Sequence, residues 1–108
     1  MQDISIVICE EDQEIVERSN LNFVDIVMED ELRYENEGAY PWLDSIDPYA
    51  NTTFNQLQVV YFIKDLERLK PLVKIEANNQ LIDEIIAFAS KILPENIHSQ
   101  RYLKFIGD

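Results

Sequence analysis

The sequence predicts an α+β fold, in which a small, mostly antiparallel sheet formed by the terminal strands packs against two or three helices. Two observations support this class. A strand-like apolar run lies near each end of the chain, and two segments between them carry apolar residues at helical spacing. The 108 residues, 46% of them hydrophobic and only two of them glycine, predict a single domain over 1–108 with a packed core.

The first predicted element is a strand over residues 3–9. Its apolar side chains alternate between two faces, with Ile4, Ile6 and Ile8 on one and Val7 and Cys9 on the other. Because both faces are apolar, we expect this strand to be central in the sheet or covered on two sides. The polar residues 10–13 predict a hairpin loop, and residues 14–18 predict the returning strand. Ser19 and Asn20 then indicate a turn or a helix start.

The middle of the chain predicts less regular structure. Residues 22–31 have apolar side chains at spacings of three and four, which favours a short helix. Residues 29–41 are mostly polar or acidic and contain Gly38 and Pro41, so we predict a loop. Asp47 followed by proline is a further turn signal.

The second half predicts two helices and a final strand. Thr53 and Gln56 match a capping box, which predicts a helix over residues 54–69 that ends before Pro71. Its predicted buried face contains Val59, Phe62, Ile63, Leu66 and Leu69, and its other flank carries Leu57, Val60, Tyr61 and Lys64. A second helix is predicted over residues 80–93, capped by Asn78 or Asn79 and with Leu81, Ile85, Phe88, Ala89 and Ile92 at helical spacing. Residues 101–106 predict the last strand.

The sequence contains few residues that catalysis could use. Cys9 is the only cysteine, so no internal disulfide forms, and its apolar neighbours predict a core residue. His98 is the only histidine and is far from Cys9 in sequence. The acidic runs do not match the spacing of an EF-hand, and a glycine-rich phosphate loop is absent from the sequence. We therefore predict no catalytic residue, no cofactor and no metal, and a protein that is not an enzyme.

The charge is distributed unevenly. The net charge of −12 comes from 9 basic and 21 acidic residues. Residues 1–50 hold 14 of the acids and only Arg18 and Arg33, whereas residues 51–108 hold seven acids and seven bases. An acidic surface repels a phosphate backbone and attracts a basic protein, so we expect a basic protein partner and no direct nucleic acid. The alternative interpretation is a solvated surface without a partner.

Two groups of residues are candidates for binding this partner. The first is the acidic loop tip, and the second mixes acids with Trp and Tyr, which are common in interface hot spots. In the second group the aromatic residues could instead fill the edge of the core. The predicted partner-binding residues are Glu10, Glu11, Asp12, Glu29, Asp30, Glu31, Glu35, Glu37, Tyr40, Trp42, Asp44, Asp47 and Tyr49.

Nothing in the sequence predicts a membrane or a secretory route. The N-terminus has no basic region followed by a cleavage site, and no apolar run reaches the roughly 18 residues that a membrane span needs. We therefore expect a cytoplasmic protein with no membrane partner.

Two blocks of sequence carry a family resemblance. Residues 42–58 contain Asp-Pro-Tyr followed by Thr-x-Phe-Asn and Gln, and residues 102–108 form a Tyr-Leu-x-Phe-x-Gly-Asp tail. These blocks resemble a group of small acidic bacterial proteins, some of which resemble immunity proteins of contact-dependent growth inhibition and other polymorphic toxin systems. Ala50 stands where the pattern of the group has glycine, which leaves the local turn geometry open.

The resemblance implies an immunity protein that binds and neutralises a cognate bacterial toxin through an acidic surface. The partner would be a toxin domain such as a nuclease. On this interpretation the shared motifs mark the scaffold, and partner choice lies in the acidic N-terminal half. A regulatory or adaptor module that binds another basic protein is the alternative, and an enzyme with a carboxylate-based site is a minor one.

Overall fold

Four strands and three helices form the part of the chain that the structure describes. A computed structural model describes residues 4–23, 40–47, 49–97 and 99–107. The strands are β1 (Ser5–Cys9), β2 (Ile15–Asn22), β3 (Asn51–Phe54) and β4 (Tyr102–Ile106). The helices are α1 (Pro41–Asp44), α2 (Gln56–Leu69) and α3 (Glu76–Ser90), and a 3₁₀ turn (Lys70–Leu72) follows α2.

The strands form one antiparallel sheet in the order β2-β1-β4-β3. The two terminal strands therefore pair with each other at its centre, with Ser5 opposite Ile106 and Cys9 opposite Tyr102. This arrangement confirms the predicted α+β class and the central position of β1. Val7 and Cys9 are buried as well, although they face away from the core cluster that contains Ile6.

The β1–β2 hairpin is longer and less regular than predicted. A turn or helix start at Ser19 and Asn20 is wrong, because both residues lie within β2. The pairing of β1 with β2 is shifted at two places, and one shift lies beside Ser19. The Ser19 hydroxyl donates to the Ile6 carbonyl at 2.7 Å and accepts from the Leu21 amide at 3.3 Å. These bonds satisfy backbone groups where the ladder is irregular, so the strand continues through residues that favour turns.

The core lies between one face of the sheet and helices α2 and α3. The predicted buried face of α2 is confirmed, and four phenylalanines join the layers with neighbouring ring centroids 5.2 to 6.2 Å apart. These are Phe23, Phe54, Phe62 and Phe105. In α3, Ile85, Phe88 and Ala89 are buried as predicted.

The start of α2 differs from the prediction. The helix begins at Gln56, and its capping box joins Asn55 to Gln58, two residues after the predicted pair. The Asn55 side chain accepts from the Gln58 amide at 2.8 Å, and the Gln58 side chain accepts from the Asn55 amide at 2.9 Å. Thr53 belongs instead to the unpredicted strand β3, where it pairs with Lys104. Pairing with β4 extends the backbone there, and β-branched residues suit a strand.

The third helix also begins earlier than predicted, at Glu76, and ends at Ser90. Asn78 and Asn79 lie in its first turn and do not cap it. The Asn79 side chain donates to the Lys70 carbonyl at 2.9 Å, which ties the helix to the preceding 3₁₀ turn. This partner lies outside the helix, so the asparagine does not compete with the helical backbone.

Part of the middle region lies outside the described residues. The predicted start of a helix at Asn22 is wrong, because Asn22 is the last residue of β2. Residues 24–31 of that predicted helix are not among those described. Most of the predicted loop over 29–41 is likewise outside, and Pro41 is the first residue of α1, where its fixed φ suits a helix start. None of the described helices has the length and apolar character that crossing a membrane requires.

Candidate partner-binding surface

The predicted acidic loop tip is the tight turn between β1 and β2, residues 10–14, here called the hairpin loop. The Glu10 amide donates to the Glu14 carbonyl at 2.8 Å, and the Gln13 amide donates to the Glu10 carbonyl at 2.9 Å. The Asp12 carboxylate accepts from the Glu14 amide at 3.0 Å. Gln13 has a positive φ of 72°, which lets the chain reverse here. These bonds fix the backbone positions from which the acidic side chains extend.

The hairpin loop concentrates unpaired negative charge. Glu10 is partly buried and lies 3.4 Å from the Arg101 guanidinium. Glu11, Asp12 and Glu14 are exposed, and no cation in the described ranges forms an ion pair with them. Three unpaired carboxylates within four residues create a local negative potential that a Lys or Arg of another protein could neutralise.

The same loop brings carboxylate oxygens close together. One oxygen each of Glu10, Asp12 and Glu14 lies within 4.8 Å of the others. Such a group suits an ammonium or guanidinium group as well as a hard metal ion, and exposed acidic groups are common without a metal. The geometry therefore identifies an electronegative point on the surface and assigns no metal to it.

The second predicted group is divided by the structure. Tyr40 is buried, and Trp42 is partly buried, with its ring stacked on Tyr61 at 5.7 Å and edge-on to Phe54 at 5.8 Å. These two aromatic residues fill the edge of the core, as the alternative interpretation expects. Asp44, at the end of α1, is exposed.

A buried carboxylate that we did not predict as important holds α1 in place. Asp65 on α2 is only 3% exposed and accepts from the Trp42 amide at 2.8 Å and from Arg68 at 2.5 Å. The Arg68 guanidinium also lies over the Tyr40 ring, 5.1 Å from its centroid. No side chain of α1 caps its own start, so Asp65 satisfies an amide there from another helix. The sequence signal, an Asp and an Arg three residues apart, resembles an ordinary solvated pair.

Asp47 and Tyr49 lie at the opposite end of the sheet from the hairpin loop. They precede β3, and the Ala50 carbonyl accepts from Gly107 at 3.0 Å just beyond the end of β4. The Asp47 side chain accepts from the Tyr49 amide at 2.8 Å and forms the predicted turn, and the Tyr49 side chain is 71% exposed. Ala50 does not require a glycine-like φ, since Gln13 alone among the described non-glycine residues has a positive one.

Five predicted binding residues have no described position. Glu29, Asp30, Glu31, Glu35 and Glu37 lie outside the described residues, and His98 does as well. The structure therefore brings together Glu10, Glu11 and Asp12, with Glu14 added. Tyr40 immediately precedes α1, and Trp42 and Asp44 lie on it. Asp47 and Tyr49 precede β3, at the end of the sheet away from the hairpin loop.

A groove beside the start of α2 was not predicted. It has a volume of about 370 Å³ and is lined by Asn55, Gln56, Leu57, Val60, Pro94 and Gln100. The Gln56 side chain donates to the Ile92 carbonyl at 2.7 Å and to the Ser99 carbonyl at 3.3 Å, which joins the helix to the opposite wall. These lining residues come from separate segments, so no local pattern in the sequence indicates the groove.

The Cys9 thiol is buried and free. Desolvation by burial raises the pKa of this thiol above its ordinary value, nearby Lys104 lowers it in part, and Asp12 raises it further. The thiol is therefore protonated at neutral pH, whereas a nucleophile requires the thiolate. This agrees with the predicted role of Cys9 as a core residue.

Comparisons with known proteins identify no relative of this chain. No protein-family model matches the chain, no curated protein matches it and no solved structure matches it.

Proposed function

We propose that this protein is an immunity protein that binds a cognate bacterial toxin through its acidic surface and neutralises it. The observation that carries this proposal is the hairpin loop, whose Glu11, Asp12 and Glu14 are exposed and form no ion pair within the described residues. The hairpin loop by itself supports only a basic protein partner. The family resemblance of residues 42–58 and 102–108 is what suggests that this partner is a toxin.

The mechanism is electrostatic and steric. Opposite charge steers the two proteins together, and the carboxylates then pair with Lys or Arg side chains on the toxin. A toxin that acts on nucleic acid, such as a nuclease, carries a basic surface for its substrate. An acidic protein seated on that surface blocks the substrate without doing any chemistry itself.

The hairpin loop also suits a second function, a regulatory or adaptor module for another basic protein. The two functions differ in what the partner does when it is expressed alone. A toxin arrests growth and an adaptor target does not. The enzyme alternative predicts turnover that depends on the carboxylates, which a binding role does not require.

The test begins with the partner that stays bound to the tagged chain in a lysate of its own source cells. The captured protein is then expressed alone and together with this chain. We expect growth arrest in the first case and growth in the second. A captured partner that is harmless alone would contradict the immunity function.

A neutral-hairpin variant tests the surface. It carries E11Q, D12N and E14Q, which remove the charge but keep a side-chain oxygen at position 12 for the Glu14 amide. We expect partner affinity to fall at least tenfold and the protection of growth to weaken. Each charge-assisted contact that is lost costs on the order of 1.5–3 kcal/mol, and tenfold corresponds to 1.4 kcal/mol.

A matched control removes the same charge elsewhere. It carries E67Q, E84Q and E95Q, three exposed acids of the second half. We expect it to bind the partner and protect growth like the unaltered chain. Equal losses in the two variants would show that net charge, and not the hairpin loop, governs binding.

A further inference from the structure

The outward face of α2 exposes large apolar side chains beside the groove. Leu57, which lines the groove together with Val60, is 67% exposed. Tyr61, one helical turn further on, is 45% exposed and stacks on Trp42. Apolar residues at this spacing usually face a core, but the buried face of α2 is on its other side. The helix thus presents a second apolar surface to solvent.

The groove adjoins the hairpin loop through one side chain. Gln100 lines the groove, and its carbonyl accepts from the Arg101 guanidinium at 3.4 Å. The same guanidinium lies 3.4 Å from the Glu10 carboxylate. A depression lined by the apolar Leu57, Val60 and Pro94 and by three amide side chains therefore lies near a cluster of carboxylates, with the Arg101 guanidinium between them. Both lie at the end of the sheet where β1 ends and β4 begins.

We propose that the groove receives an apolar side chain from an extended basic segment of the toxin, while flanking Lys or Arg side chains bind the hairpin loop. This inference rests on the proposed function and specifies which chemistry the partner brings. Apolar anchors in pockets beside satisfied charges are a common arrangement in interface hot spots. A second copy of this chain is a poor occupant, because its net charge is −12 and the groove lies next to carboxylates.

A peptide tests this arrangement without knowledge of the toxin. The probe is a Lys-Lys-Leu-Lys-Lys peptide, titrated into the nitrogen-15-labelled full chain and followed by the NMR shifts of backbone amides. We expect the amides of Leu57, Val60 and Gln100 to shift together with those of the hairpin loop. A peptide with Ser in place of Leu should shift the hairpin amides alone.

A variant and its control locate the apolar contact. Leu57→Gln keeps a long side chain and a good helix former at an exposed position, so it should fold normally. We expect this variant to bind the Leu peptide at least tenfold more weakly and to bind the Ser peptide with unchanged affinity. Ile75→Gln removes another apolar side chain that is 52% exposed but does not line the groove, and it should change neither titration.

The outcomes separate this inference from the proposed function. The inference is overturned if the Leu peptide leaves the chemical shifts of the groove amides unchanged. It is also overturned if these shifts change as much in Leu57→Gln as in the unaltered chain. If the chemical shifts of the hairpin-loop amides are unchanged as well, the result counts against the acidic surface itself. Groove amides that shift with the concentration of the unliganded protein identify a second copy as the occupant and overturn the inference too.

Discussion

Removal of the Asp65 carboxylate should detach α1 from the rest of the protein. The side chain of Asp65 is 4% exposed and accepts hydrogen bonds from the Trp42 amide and from Arg68. In Asp65→Ala the Trp42 amide loses this acceptor, and the Arg68 guanidinium loses this carboxylate. An unsatisfied buried donor costs about 1–3 kcal/mol, and a broken buried ion pair costs about 3–5 kcal/mol. The Arg68 side chain is 56% exposed, so water hydrates the remaining cation and the second cost is much reduced. We expect a total loss of about 2–3 kcal/mol.

Two measurements follow this change. Thermal unfolding should shift down by roughly 10 °C or more, since 1 kcal/mol moves the Tm of a domain near this size by about 4–8 °C. Trp42 is the only tryptophan, so its fluorescence reports on α1 directly. Its emission should move to longer wavelength below the melting transition, because a detached α1 exposes the ring that now stacks on Tyr61.

Two control variants separate the contributions. Asp65→Asn keeps an oxygen for the Trp42 amide but loses the charge that Arg68 meets, so it should cost about half as much. Glu67→Ala removes an exposed acid two residues away and should stay within about 0.5 kcal/mol. An Asp65→Ala protein with unchanged melting temperature and unchanged Trp42 emission would refute the role of this carboxylate.

Further predictions concern the core, the thiol and the acidic surface. Ile85→Ala should cost about 2–5 kcal/mol in chemical denaturation because Ile85 is fully buried, whereas Leu57→Ala, at an exposed position, should cost less than about 1 kcal/mol. Burial raises the pKa of Cys9 in the folded state, so the unfolded chain ionises first and this thiol contributes a fall in stability as pH rises above 9. Cys9→Ala should remove this contribution and make the fall shallower in pH-dependent melts. In stopped-flow measurements, association with the proposed basic partner should slow as salt rises, and a salt-independent rate would exclude electrostatic steering. Reversal of residues 29–31 to Lys should weaken partner binding by about 3 kcal/mol or more in titrations if they meet basic residues, and unchanged affinity would mark that run as a solvated surface.

The core could be predicted from sequence because its periodicity is strong. Ile4, Ile6 and Ile8 identify β1, and the helical spacing on α2 identifies the residues that pack on it. Such patterns reflect which face of a strand or helix packs on the core, so contacts with distant segments do not change what they predict.

The element boundaries were harder, because local signals compete. Thr53 with Gln56 and Asn55 with Gln58 both satisfy the capping pattern, and only the pairing of Thr53 with Lys104 on β4 decides between them. The turn signal at Ser19 was likewise overridden by the hydrogen bond to the Ile6 carbonyl. In both places the deciding partner is distant in sequence, so no local rule reaches it.

The candidate surface shows the same division. The hairpin loop could be predicted because it is one contiguous acidic run between two strands. Asp65 was missed because its burial depends on the docking of α1, and the groove was missed because Gln56 and Gln100 meet only in the fold. Charge can be read locally, whereas burial and concavity depend on distant segments.

The scaffold is not confined to the second half of the chain. The acidic first half supplies β1, the central and most buried strand, and the neutral second half supplies the exposed face of α2 beside the hairpin loop. Scaffold and candidate surface are therefore separated by position in the fold and not along the chain. Because Glu11, Asp12 and Glu14 are exposed and form no ion pair with any described residue, removing their charge should relieve mutual repulsion and leave the core untouched. The neutral-hairpin variant should thus lose affinity at an unchanged or slightly higher Tm, and a fall in Tm would place these acids in the scaffold.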